Sequence, residues 1–170
     1  MTMKAISIRQ PWAWLIVRPD IVDLKERAAA ANAGILKTIE NRSRRTWYRG
    51  PLLIHASQGM TREEYESADD PLSGVGGPAI ALPAFHELQR GGIVGVTNLE
   101  DCITSNHRKS WWHIEGQMGL RLSSTRPLPF VACKGALGIF NVAPEIVQRL
   151  QPFLTEDAPI TGLQQGALDS

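Results

Sequence analysis

Pro51-Leu52-Leu53-Ile54-His55-Ala56 reads as an apolar core strand, and it directly follows the most charge-dense stretch of the chain. That stretch, Lys37-Thr38-Ile39-Glu40-Asn41-Arg42-Ser43-Arg44-Arg45-Thr46-Trp47-Tyr48-Arg49-Gly50, holds five cations and one carboxylate. Ionisable groups are seldom concentrated beside a core strand without a use, so the segment marks a local site. The formal net charge of the 170 residues is only +1. No global field therefore draws in nucleic acid or membranes, and any basic surface must be local.

The length suits one domain with a real core. A hydrophobic fraction of 43% and a charged fraction of 21% are ordinary for a globular protein. Cys102 and Cys133 are too few for a disulfide framework, and their separation matches no metal spacing. They read as reduced thiols, which suits a cytoplasmic protein. Trp12-Ala13-Trp14-Leu15-Ile16-Val17 is too short to cross a membrane, and its flanks do not resemble a signal peptide.

Lys4 to Arg9 alternates as a half-buried strand does. Pro11 suits the first turn of a helix running to about Val17, which Pro19 stops. The alanine-rich run between Ile21 and Ala33 predicts a helix ending at Gly34. Lys37 to Arg42 and Gly50 to Ala56 read as strands joined by an arginine-rich connection. Thr61 is the expected N-cap of a helix, Asp69 to Pro83 a long surface loop, and Ala84 to Arg90 a short helix.

Ile93 to Leu99 reads as a strand whose Gly95 permits a close backbone approach. Further strands are expected at Gly116 to Leu122, Phe130 to Cys133 and Ala136 to Val142. A helix follows from Pro144 to about Leu150. The sum is about six strands and four helices in irregular order, an α+β chain built as a small mixed β-barrel with helices packed outside. The domain is expected over residues 1–154, with a loosely ordered tail over 155–170.

Lys37, Glu40 and Arg42 are the first candidates for chemistry. On an ideal strand Glu40 and Arg42 share a face and Lys37 points away. Lys37 can join them only at a loop-to-strand transition or beside a bulge. Converged, they would form an anion grip or place a buried lysine as a general base; otherwise they are a surface ion pair and a solvated lysine.

These segments resemble the ASCH (activating-signal-cointegrator homology) domains, which have a PUA-like β-barrel fold. The resemblance rests on Ile6-Ser7-Ile8-Arg9-Gln10-Pro11-Trp12-Ala13 and on Lys37 through Ala56. It continues through Gly92-Ile93-Val94-Gly95-Val96, Arg126-Pro127-Leu128-Pro129 and Lys134-Gly135-Ala136-Leu137-Gly138-Ile139-Phe140. The family signature is a glycine two residues before Lys-x-x-Glu-x-Arg. Lys37, Glu40 and Arg42 fit it, while Gly34 stands one residue early.

The resemblance implies a cleft on the barrel that holds RNA or a nucleotide. It also implies an alternative, since some ASCH proteins are hydrolases, either ribonucleases or amidohydrolases of N4-acetylcytidine. In the amidohydrolases a threonine nucleophile lies three positions after the motif lysine. Here Glu40 occupies that place, and Thr38 is out of register, which counts against that route.

The aromatic residues are a second constellation. Trp14 reads as core; Trp12 and Trp111 read equally as packing or as platforms for a stacked base. Arg44, Arg45 and Arg49 suit phosphate contacts or a solvated loop. His55 is either a general acid or base or a satisfied core histidine, and Ser57 either bonds ligand or caps a turn.

As a binding module the chain would use Trp12, Lys37, Glu40, Arg42, Arg45, His55, Ser57 and Trp111. As an enzyme it would use Lys37 as base, Glu40, and Tyr48 or Ser57 as the hydroxyl participant, with Arg42 stabilising an oxyanion. His113-x-Glu115 lacks the cysteine partners of a zinc deaminase, and no phosphate loop or dinucleotide fingerprint occurs. The expectation is a monomer without metal or cofactor, whose partner is RNA or a nucleoside-type molecule and not a membrane.

Overall fold

Strand β1, Lys4–Ile8, buries Ala5, Ile6 and Ile8 while Ser7 stays half-buried. In the computed structural model, which describes residues 2–68, 79–104 and 110–155, helix α1 (Trp12–Val17) follows directly. Helix α2 (Leu24–Asn32) begins later than the alanine-rich pattern suggests, because the Asp23 carboxylate accepts from the Glu26 N–H at 3.0 Å and fixes the N-cap there. Gly34, at φ +75°, ends it in the left-handed conformation.

Strands β2 (Ile39–Arg42) and β3 (Gly50–Ala56) flank the arginine-rich connection. Helix α3 (Arg62–Ser67) carries a full capping box between Thr61 and Glu64. Strands β4 (Gly92–Ile103), β5 (Met118–Ala132) and β6 (Ile139–Asn141) and helix α4 (Pro144–Leu150) complete the fold.

Three expectations need correction. The strands foreseen at Gly116 to Leu122 and Phe130 to Cys133 are one strand, β5. Pro127 and Pro129 lie within it and are absorbed where the β4–β5 register shifts. The helix foreseen at Ala84 to Arg90 is a single 3₁₀ turn, Phe85–Glu87. Strand β4 runs on to Ile103 rather than stopping at Leu99. Of the loop foreseen at Asp69 to Pro83, residues 69–78 lie outside the described residues, as does most of the tail foreseen at 155–170.

The six strands form one mixed sheet in the order β2-β5-β4-β3-β1-β6, with β1 parallel to β3 and the other pairs antiparallel. It curls into a half-barrel. Strand β2 lies at one edge and β1 is fifth in order, yet Arg42 Nη2 donates to the Ser7 carbonyl at 2.9 Å.

The apolar run in β3 reflects burial on both faces. Leu52, Ile54 and Ala56 pack with Ile6, Ile8 and the α1 residues Ala13, Ile16 and Val17. Leu53 packs with Ala5 and with Val147 and Leu150 of α4. Each fully buried leucine or isoleucine contributes about 1.5–3 kcal/mol. Gly95 meets the close approach its sequence position suggests: a Cβ there would lie 2.8 Å from Val17 and 3.0 Å from the Arg126 carbonyl.

Candidate functional site

The site is assembled where α2 hands over to β2. The Lys37 N–H donates to the Leu15 carbonyl of α1 at 3.0 Å, which hooks the segment onto that helix before β2 begins at Ile39. Lys37 thus sits at the loop-to-strand transition and is released from strand alternation. Its side chain turns inward and is 2% exposed.

Lys37 Nζ donates to the Ile39 carbonyl and lies 3.4 Å from Glu40 Oε1. The other carboxylate oxygen, Oε2, accepts from Arg42 Nη2 at 2.9 Å. Glu40 is therefore clamped between two cations, and the trio carries one net positive charge. The indole of Trp112 lies 5.8 Å from Lys37 Nζ and is itself buried. Burial pushes the Lys37 ammonium below its ordinary range; the attraction of Glu40 opposes this and does not overcome it.

Arg42 is the most accessible member, with its side chain 31% exposed. Its Nε is buried and has no hydrogen-bond partner among the described residues. An unpaired buried N–H is costly, whereas the exposed part of the guanidinium is what an outside acceptor meets.

The Ser7 carbonyl bound by Arg42 leads to a second pair. Ser7 Oγ lies 3.0 Å from His55 Nδ1, and His55 Nε2 lies 2.8 Å from the Cys133 carbonyl. A carbonyl only accepts, so Nε2 carries a hydrogen, and in the neutral ring Nδ1 accepts from the Ser7 hydroxyl. His55 is 2% exposed and meets Phe140 edge to face at 6.0 Å.

The remaining candidates lie apart from the trio or reach it indirectly. Trp12 is half-buried and packs with both the main core and the smaller cluster of Leu15, Ile39, Ile80 and Trp112. Trp111 is 36% exposed and donates through Nε1 to the Gly34 carbonyl at 3.2 Å; Trp112 donates to the same oxygen at 2.9 Å. Arg45 stacks on Trp47 at 4.6 Å instead of joining the trio.

Tyr48 donates its hydroxyl to the Pro51 carbonyl at 2.5 Å, and partial burial pushes that hydroxyl above its ordinary pKa. Ser57 is tied to β1 through its backbone, N–H to the Ile8 carbonyl at 2.9 Å. The Thr38 carbonyl accepts from the Leu122 N–H at 2.8 Å, which anchors β2 against β5.

Two residues of the site escape sequence reasoning. Trp112, not Trp111, stands over Lys37, and adjacent tryptophans give no hint of which one turns inward. Asn41 holds Trp112 in place: its Nδ2 donates to the Trp112 carbonyl at 2.9 Å and its Oδ1 accepts from the Ile114 N–H at 2.8 Å. A signal for Asn41 existed, because asparagine is depleted from strands and its presence in one asks for a side-chain role.

Among the described residues no group of three or more His, Cys, Asp or Glu side chains is placed to hold a metal. His113 is fully buried and bonds the Gln117 carbonyl at 2.7 Å, while Glu115 is exposed. Two open clefts, of about 380 Å³ beside Trp14 and Phe130 and about 770 Å³ beside Arg27 and Thr97, are not lined by Lys37, Glu40 or Arg42. No helix among the described residues is long and apolar enough to cross a membrane. No protein-family model matches the sequence, and no curated protein is significantly similar to it.

Proposed function

We propose that this chain is a PUA-like domain of the ASCH type that binds RNA or a nucleoside-like ligand at the Lys37–Glu40–Arg42 corner. The observation that carries the reading is the convergence itself. Three charged side chains share one network, a buried indole stands over the lysine, and Arg42 remains partly exposed. The resemblance across residues 4–142 and the six-stranded curled sheet support it. A fold would gain more from apolar packing at this place than from a clamped triad, so a recognition role explains the expense better than stability does. In this reading Arg42 meets a carbonyl or phosphate oxygen and Glu40 accepts from a base edge. The protein works in the cytoplasm as a monomer, with Cys102 and Cys133 reduced.

The test is calorimetric titration of cytidine, uridine, their monophosphates and a short single-stranded RNA against wild type, Lys37→Met, Glu40→Gln and Arg42→Lys. A loss of tenfold or more in the variants is expected. Wild-type affinity retained in all three would overturn the proposal.

One observation favours the hydrolase as a second reading: burial lowers the Lys37 pKa, which moves a lysine toward service as a base. Turnover of N4-acetylcytidine or labelled RNA by wild type, lost in Lys37→Met, would decide for it. Absence of turnover by wild type removes it for those substrates.

A further inference from the structure

The connection between β2 and β3 holds a tryptophan out in water. Trp47 is 77% exposed, although its neighbour Tyr48 packs against the core. A loose loop would let an indole fold back onto the protein, but this loop is pinned on both sides of Trp47. Thr46 Oγ1 accepts from the Tyr48 N–H at 3.2 Å. Arg49 Nη1 donates to the carbonyls of Thr46 and Tyr48 at 2.9 and 2.8 Å. The Tyr48 hydroxyl reaches Pro51, and Arg49 lies 3.6 Å from Asp101. With Thr46 and Tyr48 fixed, the backbone aims Trp47 outward.

Two arginines precede the indole in sequence. The Arg45 guanidinium covers one ring face at 4.6 Å. Arg44 is exposed and has no ion-pair partner among the described residues. Arg49 is the arginine the fold uses; Arg44 and Arg45 are left to solvent. A rigid indole with a stacked guanidinium and an adjacent free cation matches a ligand that alternates flat rings with negative charge. Single-stranded nucleic acid is such a ligand, because every base has a π-face and every linkage a phosphate. An acidic peptide would satisfy the arginines but would leave the indole face without a planar partner.

We infer that Trp47, with Arg44 and Arg45, forms a stacking platform for single-stranded RNA, separate from the Lys37 corner. The choice of RNA as ligand rests on the binding function proposed above, whereas the platform rests on the loop's own geometry. One base stacks on the free face of Trp47, and the flanking phosphates meet Arg44 and Arg45.

The test uses the whole chain and a fluorescein-labelled oligouridylate, titrated at several salt concentrations against wild type, Trp47→Ala, Trp47→Phe and the Arg44→Ala/Arg45→Ala double variant. Uridine monophosphate titrated in parallel reports on the Lys37 corner. Trp47→Ala is expected to weaken the oligomer about tenfold, with Trp47→Phe recovering part of the loss. The arginine pair is expected to flatten the salt dependence by about 0.7 in slope for each phosphate that is no longer neutralised. The mononucleotide is expected to bind all variants alike.

Oligomer binding unchanged by Trp47→Ala overturns the platform and leaves the Lys37 reading intact. Binding of the mononucleotide without binding of the oligomer does the same. Poly-glutamate bound as tightly as the oligomer, with the same dependence on Trp47, also overturns it, since the surface would then be a general anion or protein contact.

Discussion

The Arg42 guanidinium donates to the Ser7 carbonyl at 2.9 Å, linking an edge strand of the sheet to the strand four places away in its order. The same Nη2 atom binds Glu40. One side chain thereby fastens the curl of the sheet and completes the charged corner, so fold and site depend on each other at this point.

Removing Glu40 alone should cost more than removing it together with Lys37. Glu40→Ala leaves the buried Lys37 ammonium with the Ile39 carbonyl as its sole hydrogen-bond acceptor among the described residues, and a loss of about 3–5 kcal/mol is expected. Lys37→Met is milder, because Glu40 keeps Arg42. Urea unfolding of both singles and the double variant gives the coupling energy, expected at about 1–3 kcal/mol. Additive losses would show that the pair does not interact.

Lys37 also sets an alkaline pH dependence. Burial holds its folded pKa below the ordinary 10.5. Between the lowered value and 10.5 the unfolded chain keeps a proton that the folded chain has lost, so stability rises with pH through this window. Below the window the full penalty of burying the ammonium is present. Urea unfolding up to pH 10.5 should show this rise in wild type, and Lys37→Met should lack it. Equal slopes in the two proteins would contradict the assignment.

Acid should act through a different pair. Arg9 grips both Glu64 carboxylate oxygens at 2.5 Å, and Glu64 also closes the α3 capping box. The Arg9 hydrogen bonds are the main reason its pKa falls from 4.5 to about 2. The stabilisation is present above 4.5 and is lost as pH falls toward about 2. Both side chains are partly in solvent, so the effect is small. Arg9→Ala should flatten this acid limb in thermal melts, and an unchanged limb would remove the pair as its cause.

Gly34 has two reasons to resist substitution. Its φ of +75° costs a residue with a Cβ about 1–2 kcal/mol. A Cβ there would also overlap the Trp111 ring. Since both indoles donate to the Gly34 carbonyl, Gly34→Ala should lower stability and shift the tryptophan emission together. A stability loss with unchanged emission would mean that the indoles hold their places without it.

Local signals in the chain were legible wherever near neighbours decide structure. Thr61 acts as a cap, Pro144 opens α4, and Gly50–Ala56 forms the strand its apolar run announces. The spacing of Lys37, Glu40 and Arg42 likewise marked a candidate corner. Signals of the same kind misled where tertiary contacts outweighed them. Phe130 to Cys133 reads as a strand of its own, yet it continues β5, because irregular β4–β5 pairing accommodates Pro127 and Pro129, which lack an N–H.

The sequence by itself determined most of the helices and strands, the apolar character of β3 and the concentration of charge at residues 37–49. Only the tertiary structure decided that Lys37 turns inward, that Trp112 rather than Trp111 stands over it, and that Arg42 reaches Ser7. Those contacts join residues far apart in the chain, from β1 to the Trp111–Trp112 segment. Their geometry comes from the curl of the sheet and the docking of α1, which no run of neighbouring residues encodes. The outward aim of Trp47 lies between the two, with local hydrogen bonds pinning the loop and the half-buried Tyr48 packed against the core beside it.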